Sequence, residues 1–298
     1  MTLSLCRSCA DTRSGLYPRE LPFVVGCEGG GEVVAVGEEA LFADPAAPKA
    51  GDHVAYYSPG SYAQFTAVPA ARAAVVPPRL SVQAAVALTV QGWTAHYLTH
   101  STVSLSPMHD IVVTAAAGGT GKLLVQMAKQ AGARVLGLVS SNEKAAIASR
   151  NGCDDTFLYR DDTGTRNFSS VAREWSRDGA GVHFVYDSVG AATASQSLAS
   201  LRVRGGCVFY GNASGAPHPI APLSLATAGS LWITRPLLDH YLLTAAETQI
   251  RADEVYGLAA SGALSWDLEG VLPLAQAADA HVLLESGQTT GKILLDIP

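Results

Sequence analysis

The chain has 298 residues, of which 48% are hydrophobic and 15% are charged, and its formal net charge is −6. This composition excludes an intrinsically disordered protein, and the negative charge gives no electrostatic support for binding to nucleic acid or an anionic membrane. The length allows two domains with separate cores, and the partner that we expect is a small molecule.

The first ninety residues predict a mostly β segment followed by a helix. Short apolar runs separated by Gly and Pro predict four strands, and apolar residues at helical spacing then predict a long helix. The strands are Val33–Val36, His53–Tyr57, Tyr62–Val68 and Ala73–Val76, and the helix is Ser81–His100.

From Ile111 to Gly211, short β-rich runs alternate with amphipathic stretches. The predicted strands are Ile111–Ala115, Arg134–Val139, Thr156–Tyr159, Val182–Asp187 and Cys207–Tyr210, and the helices between them are Lys122–Ala131, Glu143–Arg150, Ser169–Arg177 and Thr193–Leu201. Strands joined by helices of this length pair in parallel, because the crossover needs a helix. The pattern therefore predicts an α/β fold with a doubly wound, Rossmann-type sheet.

The chain after Pro236 predicts a helical stretch to about Gly262, a short extended piece, a helix at Ala275–Ser286 and a last strand at Lys292–Ile297. We expect this last strand to return to the first domain. No run reaches the ~18 uninterrupted apolar residues that a membrane span needs, and no signal peptide is recognisable.

Five cysteines are spread widely along the chain. An odd number at such spacing is not typical of a disulfide-stabilised secreted domain, so we interpret them as reduced thiols of a cytoplasmic protein. The Arg and Ser residues of the first thirteen positions leave organelle targeting as a less favoured alternative. The cysteines are Cys6, Cys9, Cys27, Cys153 and Cys207.

A glycine-rich turn, Gly118-Gly119-Thr120-Gly121, stands between the first strand and the first helix of the Rossmann pattern. Glycines there let the backbone approach a pyrophosphate, which the amides of the helix N-terminus stabilise. A phosphate loop of a nucleotide hydrolase is the competing interpretation. It fails because Ala116 replaces the first glycine and Leu123 replaces the Ser or Thr that holds Mg²⁺.

The end of the second Rossmann strand favours NADPH over NADH. NAD-binding sites place a carboxylate there for the ribose 2′-hydroxyl. Here the strand is followed by Ser140-Ser141-Asn142, then by Lys144, and the next strand is followed by Tyr159-Arg160. Cations and hydroxyl donors suit a 2′-phosphate, although Lys144 as a simply solvated lysine remains the alternative.

The chain resembles the zinc-independent quinone oxidoreductases, the zeta-crystallin-like family of the medium-chain dehydrogenase/reductase superfamily. The resemblance extends from Arg13 to the C-terminus, and several segments together make it more specific than the glycine turn alone. These segments are Arg13–Pro18, Gly26–Gly31, Gln91–Leu98, Ala115–Gly121, Val185–Gly190, Gly211–Gly215, Thr234–Pro236 and Thr289–Lys292.

The resemblance implies a GroES-like, mostly β catalytic domain (residues 1–92 and 236–298) and a Rossmann NADPH-binding domain (residues 93–235). We expect the catalytic domain to be shortened at its N-terminus, with Cys6–Thr12 in place of an Asn-rich turn and with unpaired strand edges. It also implies a homodimer that pairs through the edge of the Rossmann sheet, for which Ser230–Thr234 is the expected strand.

The resemblance also implies the site residues. Tyr17 corresponds to the active-site tyrosine, and Lys292 is a possible substitute for an arginine that relatives carry at the position of Gly287. The other implied cofactor contacts are Gly118, Gly119, Thr120, Gly121, Ser140, Lys144, Tyr159, Ser188, Gly211, Asn212, Ser214 and Thr234.

No metal is expected. Cys27 and Gln91 occupy positions where zinc-dependent relatives carry ligands, and one Cys without a His is not a zinc site of three protein ligands. Cys6 and Cys9 form a Cys-x-x-Cys pair without a second pair to complete a tetrahedron.

The implied activity is NADPH-dependent reduction of quinones or conjugated enones, with Tyr17 donating a hydrogen bond to the developing oxyanion. A catalytically weak NADPH-binding or scaffold protein of the same fold is the alternative, because of the shortened N-terminus.

Overall fold

A computed structural model of the chain describes residues 1–43, 47–161, 164–287 and 289–297. The chain divides into two compact units. Unit 1 consists of Met1–Tyr97 and Leu238–Pro298, and unit 2 consists of Leu98–Leu237. These boundaries lie a few residues beyond those that the sequence analysis expects.

The strands are β1 (Thr2–Leu5), β2 (Glu28–Glu32), β3 (His53–Tyr57), β4 (Ala73–Val75), β5 (Asp110–Thr114), β6 (Arg134–Val139), β7 (Asp155–Leu158), β8 (Arg160–Asp161), β9 (Gly164–Thr165), β10 (Val182–Asp187), β11 (Leu201–Phe209), β12 (Trp232–Thr234), β13 (Leu268–Pro273) and β14 (Lys292–Asp296). The α-helices are α1 (Arg7–Arg13), α2 (Glu38–Ala43), α3 (Val82–His96), α4 (Gly119–Gln130), α5 (Asn142–Arg150), α6 (Ser169–Trp175), α7 (Ala194–Ala199), α8 (Pro222–Thr227), α9 (Ala245–Ala260) and α10 (Ala277–Glu285).

Unit 1 is built on a six-stranded sheet in the order β13-β14-β1-β2-β3-β4. Strand β1 pairs antiparallel with β14 on one side and with β2 on the other, so that Leu3 lies opposite both Leu295 and Gly29. The side chains of Leu3, Leu5 and Ile293 are almost completely buried in its core. The sequence analysis did not predict β1, and the expected unpaired edge is not found at this strand.

The β-rich part of unit 1 differs from the prediction at two strands. Val33–Val36 and Tyr62–Val68 are not strands, and the observed strand is β2. Three of the five residues of β2 are glycines, which have a low strand propensity, so the apolar pattern pointed to the valines instead. A Cβ atom at Gly30 would lie 2.6 Å from Val86 Cγ2 of α3 and 2.7 Å from the carbonyl oxygen of Val54, which shows how closely the helix and β3 approach β2.

Helix α3 starts where the sequence predicts it. The hydroxyl of Ser81 caps it by accepting a hydrogen bond from the backbone N–H of Ala84, as is typical of a helix N-terminus. The α-helix ends at His96, and a wider helical turn continues over Tyr97–Thr102. The last strand, β14, returns to unit 1 as expected.

Unit 2 contains a six-stranded parallel sheet in the order β12-β11-β10-β5-β6-β7. All five residues of β5 are buried, as expected for a strand that is covered on both faces. The doubly wound α/β fold is therefore confirmed. One strand is longer than predicted, because β11 begins at Leu201 rather than at Cys207.

Strand β12 forms one edge of this sheet, which is where the sequence analysis placed Ser230–Thr234. None of the helices in the described part of the chain has the length and apolar character that crossing a bilayer requires.

Candidate functional site

The glycine-rich turn joins β5 to α4 at the middle of the parallel sheet. Ala115 has a φ of 48°, and Gly118 caps α4 with an extended backbone. The backbone N–H of Gly118 donates to the carbonyl oxygen of Ala115 (2.8 Å), so the turn is tight. A Cβ atom at Gly121 would lie only 2.3 Å from that same oxygen. Only glycine fits there, and the turn leads directly into the N-terminus of α4, where backbone amides of a helix can bind an anion.

A hydroxyl and a cation lie at the carboxyl end of β6, the neighbouring strand. Ser141 caps α5 by accepting a hydrogen bond from the backbone N–H of Lys144 (3.2 Å), which fixes the start of the helix. The ammonium of Lys144 donates to the hydroxyl of Ser140 (3.3 Å). This pair is half-buried to exposed, and its chemistry suits a phosphate rather than a ribose hydroxyl.

Tyr159 lies at the end of β7, but its ring belongs largely to the core of unit 2. The side chain is 7% exposed and packs in the same cluster as Phe168 and Val189. Burial raises the pKa of its phenol, and the nearby cation of Arg160 opposes that rise. The structure therefore leaves only a small part of Tyr159 available to a cofactor.

The loops that follow β10 and β11 hold each other in place. The hydroxyl of Ser214 donates to the carbonyl oxygen of Val189 (2.7 Å) and accepts from the backbone N–H of Ala192 (2.9 Å). A Cβ atom at Gly211 would lie 2.7 Å from the carbonyl oxygen of Ser188, so these loops touch through their backbones. The predicted contacts Ser188, Gly211, Asn212 and Ser214 therefore lie side by side, and Ser214 mainly joins the two loops.

Asp187, the last residue of β10, organises the first of these loops, and the sequence analysis assigned it no role. Its fully buried carboxylate accepts from the N–H groups of Val189 (2.8 Å) and Gly190 (3.0 Å), and from the hydroxyls of Thr193 and Ser197. An acidic residue at the end of a buried strand, followed directly by Ser-Val-Gly, was the signal that could have shown it.

Thr234 ends β12 and pairs in register with Val208 of β11. Because every strand of this sheet is parallel, the carboxyl ends of β5, β6, β7, β10, β11 and β12 lie along one edge. All the predicted contacts in unit 2 follow or end one of these strands. In open α/β sheets, this edge is where ligands bind.

The two remaining predicted residues lie in unit 1. Tyr17 follows α1, is half-buried, and its backbone N–H donates to the carbonyl oxygen of Asp11 (3.3 Å). Lys292 is 4% exposed, and its ammonium donates to the carboxylate of Glu28 at 2.6 Å. Lys292, which the sequence analysis gave as a possible substitute for an arginine of relatives, therefore has its charge buried and paired inside unit 1.

The Glu28–Lys292 pair is an internal ion pair between β2 and β14. Burial alone would lower the pKa of Lys292, but the carboxylate of Glu28, together with Cys6 and Cys27, outweighs burial, so the pKa lies above its usual value. The second carboxylate oxygen of Glu28 accepts from the backbone N–H of Val90 in α3 (2.8 Å). The pair thus connects two strands and a helix.

Three thiols of unit 1 meet beside this ion pair. The Sγ atoms of Cys6 and Cys27 are 3.1 Å apart, those of Cys6 and Cys9 are 3.4 Å apart, and those of Cys9 and Cys27 are 3.6 Å apart. Hydrogen bonds from Cys27 and Cys6 lower the pKa of Cys9. The sequence analysis treated Cys27 separately from the Cys6/Cys9 pair, and this separation is wrong.

A cavity of ≈ 300 Å³ reaches two of the three thiols. Cys9 and Cys27 both form part of its wall, together with Arg19, Phe23 and Gly60. Cys6 and Cys9 are therefore buried and Cys27 is half-buried, and the cavity connects Cys9 and Cys27 to open space.

Sequence comparisons relate the chain to known dehydrogenases and reductases. Residues 119–236 match a family model described as zinc-binding dehydrogenase. The chain is 37% identical over 286 residues to a quinone oxidoreductase of Pseudomonas aeruginosa, covering 95% of this chain and 85% of that protein. It is 38% identical over 239 residues to a 2-haloacrylate reductase of Burkholderia, covering 79% and 70% of the two chains.

A solved structure extends the comparison to the whole fold. The crystal structure of Escherichia coli quinone oxidoreductase complexed with NADPH superimposes with a TM-score of 0.91 at 35% identity. The match covers 100% of this chain and 89% of that one.

Proposed function

Because the chain belongs to the zeta-crystallin-like quinone oxidoreductase family of the medium-chain dehydrogenase/reductase superfamily, we propose that it is an NADPH-dependent reductase that transfers reducing equivalents to quinones or conjugated enones without zinc. The observation that carries the proposal is the Lys144–Ser140 pair at the carboxyl end of β6, beside the glycine turn.

The cofactor assignment follows from the chemistry of this sheet edge. The glycine turn is too tight for a side chain at Gly121 and leads directly into α4, whose N-terminal amides would bind the pyrophosphate. Lys144 and Ser140 supply a cation and a hydroxyl where a 2′-phosphate needs them. The relative from Escherichia coli was crystallised with the same cofactor.

The hydrogen-bond donor for the substrate's oxygen comes from unit 1. NADPH, when bound, supplies a hydride from its nicotinamide ring. As the carbon of a quinone carbonyl or an enone β-carbon accepts that hydride, negative charge develops on the oxygen, and the phenol of Tyr17 donates a hydrogen bond to it. Solvent then delivers the proton. In this scheme Tyr17 does the work that a metal Lewis acid does elsewhere.

The assignment extends to the architecture. Unit 1 corresponds to the GroES-like catalytic domain and unit 2 to the NADPH-binding domain. Two copies pair through the exposed edge of β12, where Ile233 is partly exposed, to form a homodimer in the cytoplasm.

The test is an equilibrium titration with NADPH and with NADH, followed by loss of absorbance at 340 nm when a small quinone or enone is added. Lys144→Ala should weaken NADPH binding roughly 10- to 150-fold, the value of hydrogen bonds to a charged group, and leave NADH binding unchanged. Arg150→Ala is the matched control, because Arg150 is exposed at the other end of the same helix.

Tyr17→Phe tests the second half of the proposal. It should lower kcat and leave the affinity for NADPH unchanged, since only the reacting oxygen loses a donor. Equal affinity for NADH and NADPH would refute the cofactor assignment. Selective NADPH binding without turnover of either acceptor class would support the catalytically weak NADPH-binding protein instead.

A further inference from the structure

The three thiols of unit 1 already have almost the geometry of a metal site. Zinc–sulfur bonds of about 2.3 Å in a tetrahedral site place the sulfurs about 3.8 Å apart. The separations here are 3.1, 3.4 and 3.6 Å, so each sulfur needs to move by only a few tenths of an ångström to admit an ion. These sulfur atoms lie within 4.8 Å of one another, and each offers one ligand atom.

We propose that Cys6, Cys9 and Cys27 bind a thiophilic divalent cation, Zn²⁺, in a site of three thiolates whose fourth position is open to a water molecule or small ligand. Thiolate sulfur is the ligand type that selects Zn²⁺ over hard cations such as Mg²⁺ and Ca²⁺. Loading releases the thiol protons, since only the thiolates bind the ion.

The backbone holds the three sulfurs together without the ion. Cys6 stands at the N-terminus of α1, and the backbone N–H of Cys9 donates to its carbonyl oxygen (3.0 Å), so both thiols lie at the first turn. Cys27 directly precedes β2, and β1–β2 pairing brings it to the helix start. Preorganisation of this kind reduces the conformational cost of binding an ion.

Burial suits the site, and a nearby cation offsets part of its charge. Cys6 and Cys9 are 4% and 2% exposed, which protects bound metal from exchange with solvent. Three thiolates with Zn²⁺ carry one net negative charge, and the buried ammonium of Lys292 interacts electrostatically with Cys6 and Cys27. The Glu28 carboxylate already faces that ammonium, so the local charges compensate only in part.

The ion has a route in and a place for a fourth ligand. The ≈ 300 Å³ cavity is bounded by Cys9 and Cys27 and has an accessible interior. Three protein ligands with one open position is the arrangement that leaves a metal able to bind a further group. A disulfide would use only two of the three sulfurs, whereas an ion uses all of them.

This inference is independent of the proposed reductase activity. The family model described as zinc-binding dehydrogenase matches residues 119–236, a range that contains none of these three cysteines. Hydride transfer assisted by Tyr17 needs no metal, so metal-free protein should still oxidise NADPH in the assay described above if the proposed function is correct.

The test is titration of the full chain, reduced and freed of metal by a chelator, with Co²⁺ followed by Zn²⁺. We expect one equivalent of Co²⁺ to produce thiolate-to-cobalt charge-transfer bands and intense visible absorption, which one equivalent of Zn²⁺ abolishes. Zn²⁺ should also raise the melting temperature. Cys9→Ser and Cys27→Ser should lose the charge-transfer bands, and Cys153→Ser, which removes a buried thiol of unit 2, should keep them.

X-ray absorption of the Zn²⁺-loaded wild-type chain tests the proposal even if the serine variants do not fold. We expect three sulfur scatterers at about 2.3 Å. A spectrum with only nitrogen or oxygen neighbours overturns the proposal, as does the absence of charge-transfer bands with Co²⁺ or their persistence in both Cys9→Ser and Cys27→Ser.

Discussion

Replacing Gly121 with alanine should weaken NADPH binding strongly, although the substitution adds only one methyl group. The new Cβ would stand 2.3 Å from the carbonyl oxygen of Ala115 and 3.1 Å from Cα of Ala116, both of them backbone atoms. Ordinary contacts of this kind lie near 3.5 Å, so the turn must move by roughly an ångström. A neighbouring side chain could rotate away at little cost, but backbone that is held by β5 and α4 moves only at a substantial cost in free energy.

Overpacking of this kind costs about 1–3 kcal/mol. The free variant relaxes by opening the turn, and NADPH binding must then restore it, so the same free energy is lost from binding. The expected result is a Kd for NADPH about 5- to 150-fold higher than that of the wild type. Fluorescence titration with NADPH measures it.

Gly270→Ala is the matched control, because in the described part of the chain no atom beyond its own chain neighbours lies within 4 Å of the added Cβ in β13. It should bind NADPH as the wild type does. If Gly121→Ala also bound NADPH within twofold of the wild type and melted at the same temperature, the argument that this turn needs glycine would be refuted.

Two further predictions concern a buried ion pair and a surface carboxylate. Lys292→Met should lower the free energy of unfolding of unit 1 by about 3–5 kcal/mol in urea, since it leaves the buried Glu28 carboxylate without its partner, and the double variant Glu28→Gln/Lys292→Met should recover much of that loss. Additive losses in the double variant would contradict the ion pair. Burial acts to raise the pKa of Asp154, but hydrogen bonds from Lys129 and from the backbone N–H of Val135 outweigh it and hold that pKa below its usual value. The stability that this carboxylate contributes is therefore present above its unfolded pKa of about 3.9 and is lost as the pH falls through the lower folded value. The melting temperatures of wild type and Asp154→Asn should accordingly differ by a constant amount at neutral pH and converge in acid, and a difference that widens in acid would contradict this sign.

The sequence predicted unit 2 well for a physical reason. Its strands are buried on both faces and alternate with amphipathic helices, so each element appears in the local pattern. Arg134–Val139 and Val182–Asp187 have the predicted bounds. The glycine turn was found for the same reason, because its position between a strand and a helix is a local property.

Unit 1 was harder to predict because its key features depend on distant pairing. Strand β1 has four residues, too few for a periodic signal, and β2 is formed largely by glycines. The partnership of Glu28 with Lys292 joins residues from opposite ends of the chain. Nothing in the local sequence of either residue shows that its charge is buried.

The thiol cluster was missed for the same reason. The spacing of Cys6 and Cys9 places two sulfurs at one helix end, but only the pairing of β1 with β2 brings Cys27 to them. The local sequence gives no sign that Cys27 lies beside Cys6 and Cys9, so the interpretation of separate thiols was wrong.

The position of β14 between β13 and β1 in the unit 1 sheet also constrains how the protein folds during its synthesis. Unit 2 is one continuous segment and can fold as soon as it leaves the ribosome, but β1 must wait for a partner that is translated near the end. During that interval the unit 1 sheet lacks β14, and the apolar side chains of Leu3 and Leu5 are incompletely covered. Long-range pairing of this kind is slow and leaves strands exposed to association with other chains. Protection of the nascent β1 is therefore the step at which we expect chaperones to matter most for the yield of this protein.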